Sequence, residues 1–295
     1  MIDDFNKLGI RYIANATLSN LNTYKLACRC KGLIIPKNID ELISSIKLLN
    51  KYKHCYKVLG NGSNIILSSE HLNIYIIKLN EFNNIIVNDN IISCESGTMF
   101  SSLINKALDS SLVGLEWGYG IPGTIGGCVY NNAGAYDGEI SDTIIKVDAL
   151  DKDGNIVSLK KEDLNFTYRS SFFKNEQDYI ILKAYFQLTK GDVSLAREFI
   201  KSRMQRRKET QPLEFPSAGS VFRNPEGFYC GELIEKSNLK GFSVGGAQVS
   251  EKHANFIINK NKATGKDIIA LIDVIKKTIK KDYNIDLILE QEIIK

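Results

Sequence analysis

The sequence predicts a mixed α+β fold rather than a regular βαβ alternation. Three observations carry that expectation. Short apolar runs of strand length recur in series, at 65–67, 74–79, 85–87 and 91–94. Segments with helical apolar periodicity stand on either side of them, at 38–52 and from Thr264 onward. Glycine is concentrated in two places, Gly60-Asn61-Gly62-Ser63-Asn64 and residues 114–139, where regular structure has to break.

Taken in order, the first clear element is an amphipathic helix over 38–52. Asn38 is placed to cap it, Asp40 and Glu41 fall in its first turn, and Leu42, Ile43, Ile46 and Leu49 share a face. A short strand, Tyr56 to Leu59, runs straight into the first glycine loop, and Ile65-Ile66-Leu67 follows it. The strands at 85–87 and 91–94 flank the turn Asn88-Asp89-Asn90, and Met99 to Ser110 reads as a second helix. Beyond the glycine-rich stretch, 144–150 and 155–159 form a hairpin through Asp151-Lys152-Asp153-Gly154. Residues 178–188 are a strongly apolar strand, and a basic helix over 192–209 leads to Gln211-Pro212, a domain boundary. The last helix starts at Thr264 with Asp267 as capping-box partner and carries Ile268, Leu271, Ile272, Ile275 and Ile279 on one face. A terminal strand over Ile285 to Ile294 closes the chain.

Bulk properties narrow the function classes. At 295 residues the chain has room for two domains, and 43% hydrophobic with 24% charged residues is ordinary for a folded domain in water. No apolar run reaches the roughly 18 residues a membrane span needs. The opening MIDDFNKLGIRY lacks the basic start and apolar core of a signal peptide, so a cytoplasmic protein is expected. The six cysteines are scattered and only Cys28 and Cys30 lie close, a spacing that fits neither zinc nor a redox pair, so no metal is expected. A net charge of +4 suits an anionic small molecule and does not call for nucleic acid.

Chemistry enters through the glycine loops. The stretch 114–139 holds Gly114, Gly118, Gly120, Gly123, Gly126, Gly127, Gly134 and Gly138. Glycine is entropically costly to order, so this density marks backbone that must approach something closely. Bared N–H groups in such loops form concavities for a pyrophosphate. Gly60 to Asn64 has the same character without the lysine of a Walker loop or the spacing of a dinucleotide fingerprint. A hairpin turn and a surface loop are the plain alternatives; one extended phosphate-bearing cofactor accounts for both loops together.

Ordered motifs then give the chain a family likeness. Leu59 to Asn64, Gly120 to Gly127 and Asn132-Ala133-Gly134-Ala135-Tyr136 resemble the UDP-N-acetylenolpyruvoylglucosamine reductases. So do Tyr168-Arg169-Ser170-Ser171-Phe172, Pro216 to Phe222, Arg223-Asn224-Pro225, and Gly245-Gly246 through His253. The resemblance implies an FAD-binding domain of the vanillyl-alcohol-oxidase (PCMH) type over 1–190, made of two α/β subdomains at about 1–68 and 69–190, with strand 285–295 returning to it. A smaller α+β substrate domain then occupies 191–295. The implied reaction is NADPH-driven reduction of UDP-N-acetylglucosamine enolpyruvate by a monomer of cell-wall (peptidoglycan) synthesis. The cofactor residues it implies are Gly60, Asn61, Gly62, Ser63, Asn64, Ile121, Pro122, Gly123, Thr124, Gly127, Gly134 and Ala135.

Site residues follow residue by residue from the same likeness. Ser220 matches the family's proton donor and Arg169 its stabilising cation; outside these motifs they would read as a turn serine and a surface arginine. The acid of the family tail, approximately Leu-x-x-Glu-Val-x-Ile-Ile-Gly, falls on Glu290, with Glu292 two residues along the expected strand as runner-up. Tyr168, Lys208, Asn224 and His253 are implied substrate contacts, although Lys208 also reads as part of a solvated helix face. Ala27-Cys28 stands where many relatives carry a glycine pair, which requires that backbone to avoid positive φ. The short interval from Arg169 to Ser220 resembles the branch lacking the substrate-covering tyrosine loop. Another flavoprotein of the same fold, or a flavin or nucleotide-sugar binder without turnover, are the rival readings.

Overall fold

Asn38 is extended and its side chain accepts a hydrogen bond from Glu41 N at 2.9 Å, so the helix Ile39–Lys51 starts where its cap predicts. Its buried face is Leu42, Ser45 and Leu49, the serine satisfied by donating to Glu41 O at 2.7 Å. The structure, a computed structural model, describes residues 2–176 and 178–295. The chain divides into two compact units: 1–13, 33–61 and 75–205 in the first; 14–32, 62–74 and 206–295 in the second. The α+β expectation holds.

The first unit is organised by a five-stranded antiparallel sheet in the order Ile156–Lys160, Ile144–Leu150, Ile180–Gln187, Ile91–Glu95, Ile85–Asn88. The predicted hairpin through 151–154 pairs Leu150 with Ile156, and the apolar run 178–188 supplies the central strand. Ile180, Leu182, Ala184 and Phe186 of that strand are buried, whereas Lys183 and Tyr185 between them are half-buried and Gln187 is exposed. Helix Phe100–Asp109 lays Phe100, Leu103, Ile104, Ala107 and Leu108 into this core. A second cluster gathers Phe5, Ile34, Leu42, Leu49, Tyr75 and Ile77, where Tyr56–Val58 pairs parallel with Tyr75 to Ile77.

The second unit carries a three-stranded antiparallel sheet of Ser243–Val244, Ala247–Val249 and Ile257–Asn259, next to the helix Gly265–Tyr283. Thr264 caps that helix, with the Thr264/Asp267 box formed in both directions, and the five predicted face residues are all buried. Gly265 abuts the Leu67 carbonyl so closely that a Cβ would collide with it. The terminal strand is shorter than expected: only Glu292–Ile294 is regular, paired parallel with Ile65–Leu67. Asn284 in the left-handed region ends the helix, and residues 285–291 are irregular apart from a bridge between Leu289 and Phe222.

Several elements escaped the periodicity. Arg29–Ile35 is a strand in which Cys30 acts as a buried apolar residue. Ile125–Tyr130 is a helix despite two glycines, and Cys230–Lys236 is a helix too short to show a periodic face.

Candidate functional site

In the first unit the two glycine loops meet. Asn61 Nδ2 donates to Pro122 O at 2.6 Å, and a Cβ on Gly60 would stand 2.7 Å from Thr124 Oγ1. Glycine at 60 is therefore a requirement of loop against loop. Among the described residues, the backbone N–H groups of Gly60, Asn61, Gly123, Thr124 and Gly127 have no protein acceptor. The hydroxyls of Ser96 and Thr98 are buried without partners, and their carbonyls receive Gly126 N and Ile125 N at 2.8 Å each. Open amides and orphaned hydroxyls beside glycine-rich backbone fit a ligand rich in acceptors, as FAD is.

One residue beside these loops carried no sequence motif. Lys78, only 6% exposed, donates its ammonium to the Gly60 carbonyl. Burial pulls its pKa from 10.5 to about 8. A lone lysine inside the apolar run 74–79 was the available signal.

The end of the glycine-rich stretch does something else. Arg169 sits at φ +58°, a left-handed position, on a tight loop where Thr167 and Ser170 exchange backbone bonds of 3.1 and 3.0 Å. Its guanidinium donates to Gly134 O at 2.7 Å and lies over the Tyr168 ring at 4.9 Å. A Cβ on Gly134 would come within 2.9 Å of Arg169 Nη1, so Gly134 is where the arginine is seated. Asn132, fully buried, donates to Thr167 O at 3.2 Å, Ser171 Oγ to Tyr130 O at 2.8 Å, and Lys174 Nζ to Asn131 Oδ1 at 2.8 Å. Residues 130–134 thus brace the arginine loop. Gly118 and Gly138 are small for a further reason: each presses against an aromatic ring, Phe100 and Trp117 respectively. Ala135 pairs with Gly138 in a two-residue ladder.

In the second unit, Gly219 is left-handed at φ +74° and Ser220 bridges Phe256. The Ser220 hydroxyl caps no neighbouring N–H among the described residues, unlike an ordinary turn serine. The tail runs alongside: Glu290 N donates to Val221 O at 2.9 Å, whereas Glu292 N donates to Asn64 O at 3.0 Å. Asn64 Nδ2 returns a bond to Glu290 O at 3.1 Å. Gln291, 3% exposed, donates to Ala218 O at 3.0 Å and Gly219 O at 3.2 Å, and accepts from Tyr24 Oη at 3.0 Å. Asn255 clamps Phe222 through both its N–H and its carbonyl. Neither Gln291 nor Asn255 stood out in the sequence, because amides carry no motif of their own.

The remaining expected contacts occupy this unit as well, except Tyr168. Asn224 Oδ1 accepts from Cys230 N at 3.0 Å, leaving its amide as a donor. His253 Nδ1 accepts from Asn255 N at 3.2 Å, and burial pushes the imidazole below its ordinary pKa, so the neutral ring keeps its proton on Nε2. Lys252 Nζ reaches Lys208 O at 2.6 Å, which joins the end of the basic helix to the His253 segment, with the Lys208 side chain exposed. Gly62 is left-handed at φ +67° and packed on Leu21 and Asn22. None of residues 27–30 takes positive φ, as their side chains require. No cluster of three metal-binding side chains exists among the described residues.

The chain matches known proteins along most of its length. Residues 211–294 match the family described as UDP-N-acetylenolpyruvoylglucosamine reductase, C-terminal domain, and residues 30–160 match an FAD binding domain. The chain is similar to the UDP-N-acetylenolpyruvoylglucosamine reductase of Clostridium novyi, 41% identical over 95% of this chain and 91% of that one. It is 40% identical to the Caldanaerobacter subterraneus enzyme over 95% and 92%. The crystal structure of the Thermus caldophilus reductase (MurB) superposes with a TM-score of 0.81 at 29% identity, covering 96% of this chain and 98% of that one. Berberine bridge enzyme from Eschscholzia californica shares the fold of part of the chain, with a TM-score of 0.52 at 16% identity over 65% of this chain and 43% of that one.

Proposed function

The chain belongs to the UDP-N-acetylenolpyruvoylglucosamine reductase family, and from that membership we propose that it reduces UDP-N-acetylglucosamine enolpyruvate to UDP-N-acetylmuramate with NADPH. It is an FAD-dependent oxidoreductase of peptidoglycan synthesis. The observation that carries the reading is the junction of the two glycine loops, tied by Asn61 and Pro122 and lined with open amides. FAD, when bound, supplies a carrier that takes two electrons from the nicotinamide and gives them up as hydride. We assign it to Gly60 through Asn64, Ile121 through Thr124, Gly127 and Ala135, with Gly134 acting through Arg169. The cofactor domain is assigned to 1–190 with the returning tail strand, and the substrate domain to 191–295.

The protein's own groups handle the charge. Hydride addition to an enol ether conjugated with a carboxylate builds negative charge on the substrate, and a fixed cation is the largest available stabiliser. Arg169 is permanently charged and suited to a carboxylate, and its bond to Gly134 holds the guanidinium in place before substrate arrives. Ser220 delivers the proton; a hydroxyl suffices because the carbanionic carbon is strongly basic. Glu290 is the acid supporting that transfer, favoured over Glu292 because its backbone is bonded to Val221, the residue after Ser220. Tyr168, Lys208, the Asn224 amide and neutral His253 Nε2–H are assigned to the substrate. No described helix is long and apolar enough to cross a membrane. We place the enzyme in the cytoplasm as a monomer, without a nucleic-acid partner.

A two-stage flavin titration tests the reading. Purified protein should bleach with NADPH and recolour on adding UDP-N-acetylglucosamine enolpyruvate; protein that takes up no FAD sinks the proposal. Ser220→Ala should leave bleaching fast and slow recolouring by about 100- to 10,000-fold, the usual scale of general acid catalysis. Glu290→Gln should follow Ser220→Ala, while Glu292→Gln should stay near wild type.

A further inference from the structure

Lys78 has a physical problem that the protein alone does not solve. The residue is almost wholly buried, at 6% exposure, just past the strand His71–Ile77. Its backbone N–H is already used, bonded to Ile34 O at 2.9 Å. Among the described residues no carboxylate pairs with it. From the strand it follows, from Arg29–Ile35 and from the loop at Gly60, no charged side chain enters its pKa, which burial alone depresses to about 8. Burying an unpaired ammonium is among the costlier choices a fold can make. Among the described residues its acceptor is the carbonyl of Gly60, a neutral group.

That acceptor explains the arrangement. The described peptides are all trans, so the Gly60 carbonyl and the Asn61 N–H of the same peptide point in opposite directions. An ammonium held on the carbonyl turns the Asn61 N–H away from Lys78 and polarises it. That N–H has no protein acceptor among the described residues, and the Asn61 side chain is pinned on Pro122 O. We propose that Lys78 is a positioning residue for the cofactor diphosphate: it orients and charges the Gly60–Asn61 amide, and the bound anion is the counterion that the buried ammonium lacks. The inference rests on the FAD reading of this loop.

Anion binding favours the protonated lysine, so FAD binding should be strongest where Lys78 is charged in the free protein. Affinity should be level below pH of about 8 and should weaken as pH rises beyond it. FAD titrations of wild type, Lys78→Met and Lys78→Arg across that range, with thermal unfolding of each ligand-free protein, provide the test. Lys78→Met should bind FAD about 10- to 100-fold more weakly at neutral pH, the scale of one charge-assisted hydrogen bond. It should also lose the alkaline decline specific to wild type, and unfold at no lower temperature, because a buried charge has been removed. Lys78→Arg should keep neutral-pH affinity and bind without that decline, since guanidinium does not titrate. Equal affinity and equal pH profiles in wild type and Lys78→Met would overturn the proposal while leaving FAD binding intact. Loss of ligand-free stability in Lys78→Met with an unchanged pH profile would make the lysine merely structural. Wild type that binds no FAD at any pH would overturn the cofactor reading and this inference with it.

Discussion

Gly134 and Arg169 are 35 positions apart in sequence, yet the carbonyl of one receives the guanidinium of the other at 2.7 Å. This contact makes a prediction that a pure cofactor role for Gly134 does not. Gly134→Ala introduces a Cβ 2.9 Å from both Arg169 Nη1 and Gly138 O, closer than real carbons approach. The arginine must shift, at the roughly 1–3 kcal/mol typical of overpacking. Turnover of substrate should fall while NADPH still bleaches the flavin at the wild-type rate, as stopped-flow traces of the two half-reactions would show. A matching loss of FAD uptake would instead return Gly134 to the cofactor.

Among the elements, the helix Gly265–Tyr283 is the most completely written in local sequence. Thr264 accepts from Asp267 N at 3.2 Å and Asp267 accepts from Thr264 N at 2.8 Å, and the Thr264 backbone bond is the leading cause that depresses the Asp267 pKa. Removing the cap as Thr264→Ala should cost about 1 kcal/mol, seen as a lower urea midpoint with an unchanged slope. The tail is the opposite case. Its alternating apolar residues suggest a strand over Ile285 to Ile294, but a strand exists only where a partner edge is offered, and Ile65–Leu67 offers three residues. Upstream of Glu292 the chain answers to Val221, Ala218 and Gly219 instead, so the alternation that would align Glu290 with Glu292 does not apply there.

For the molecule as a whole, ligand and stability are linked. A cofactor that binds the folded chain and not the unfolded one stabilises it by about 2.7 kcal/mol at a hundredfold excess over Kd. The melting temperature should therefore climb with added FAD and keep climbing logarithmically past saturation; a melting point indifferent to FAD would contradict the cofactor assignment.

What the sequence determined by itself was whatever local chemistry encodes: the caps at Asn38 and Thr264, the hairpin at 151–154 and the two glycine loops. Each is a pattern of neighbours within a few positions, so periodicity and turn chemistry expose it. What only the tertiary structure decided is the use made of those pieces. Several glycines that look like a phosphate cradle are spent on packing against Phe100, Trp117 and Arg169, and the ammonium bonded to the Gly60 carbonyl comes from Lys78, just past the strand His71–Ile77. Burial, register and the meeting of distant carbonyls with distant cations depend on residues tens to hundreds of positions apart. A one-dimensional pattern carries no trace of them until the chain is folded.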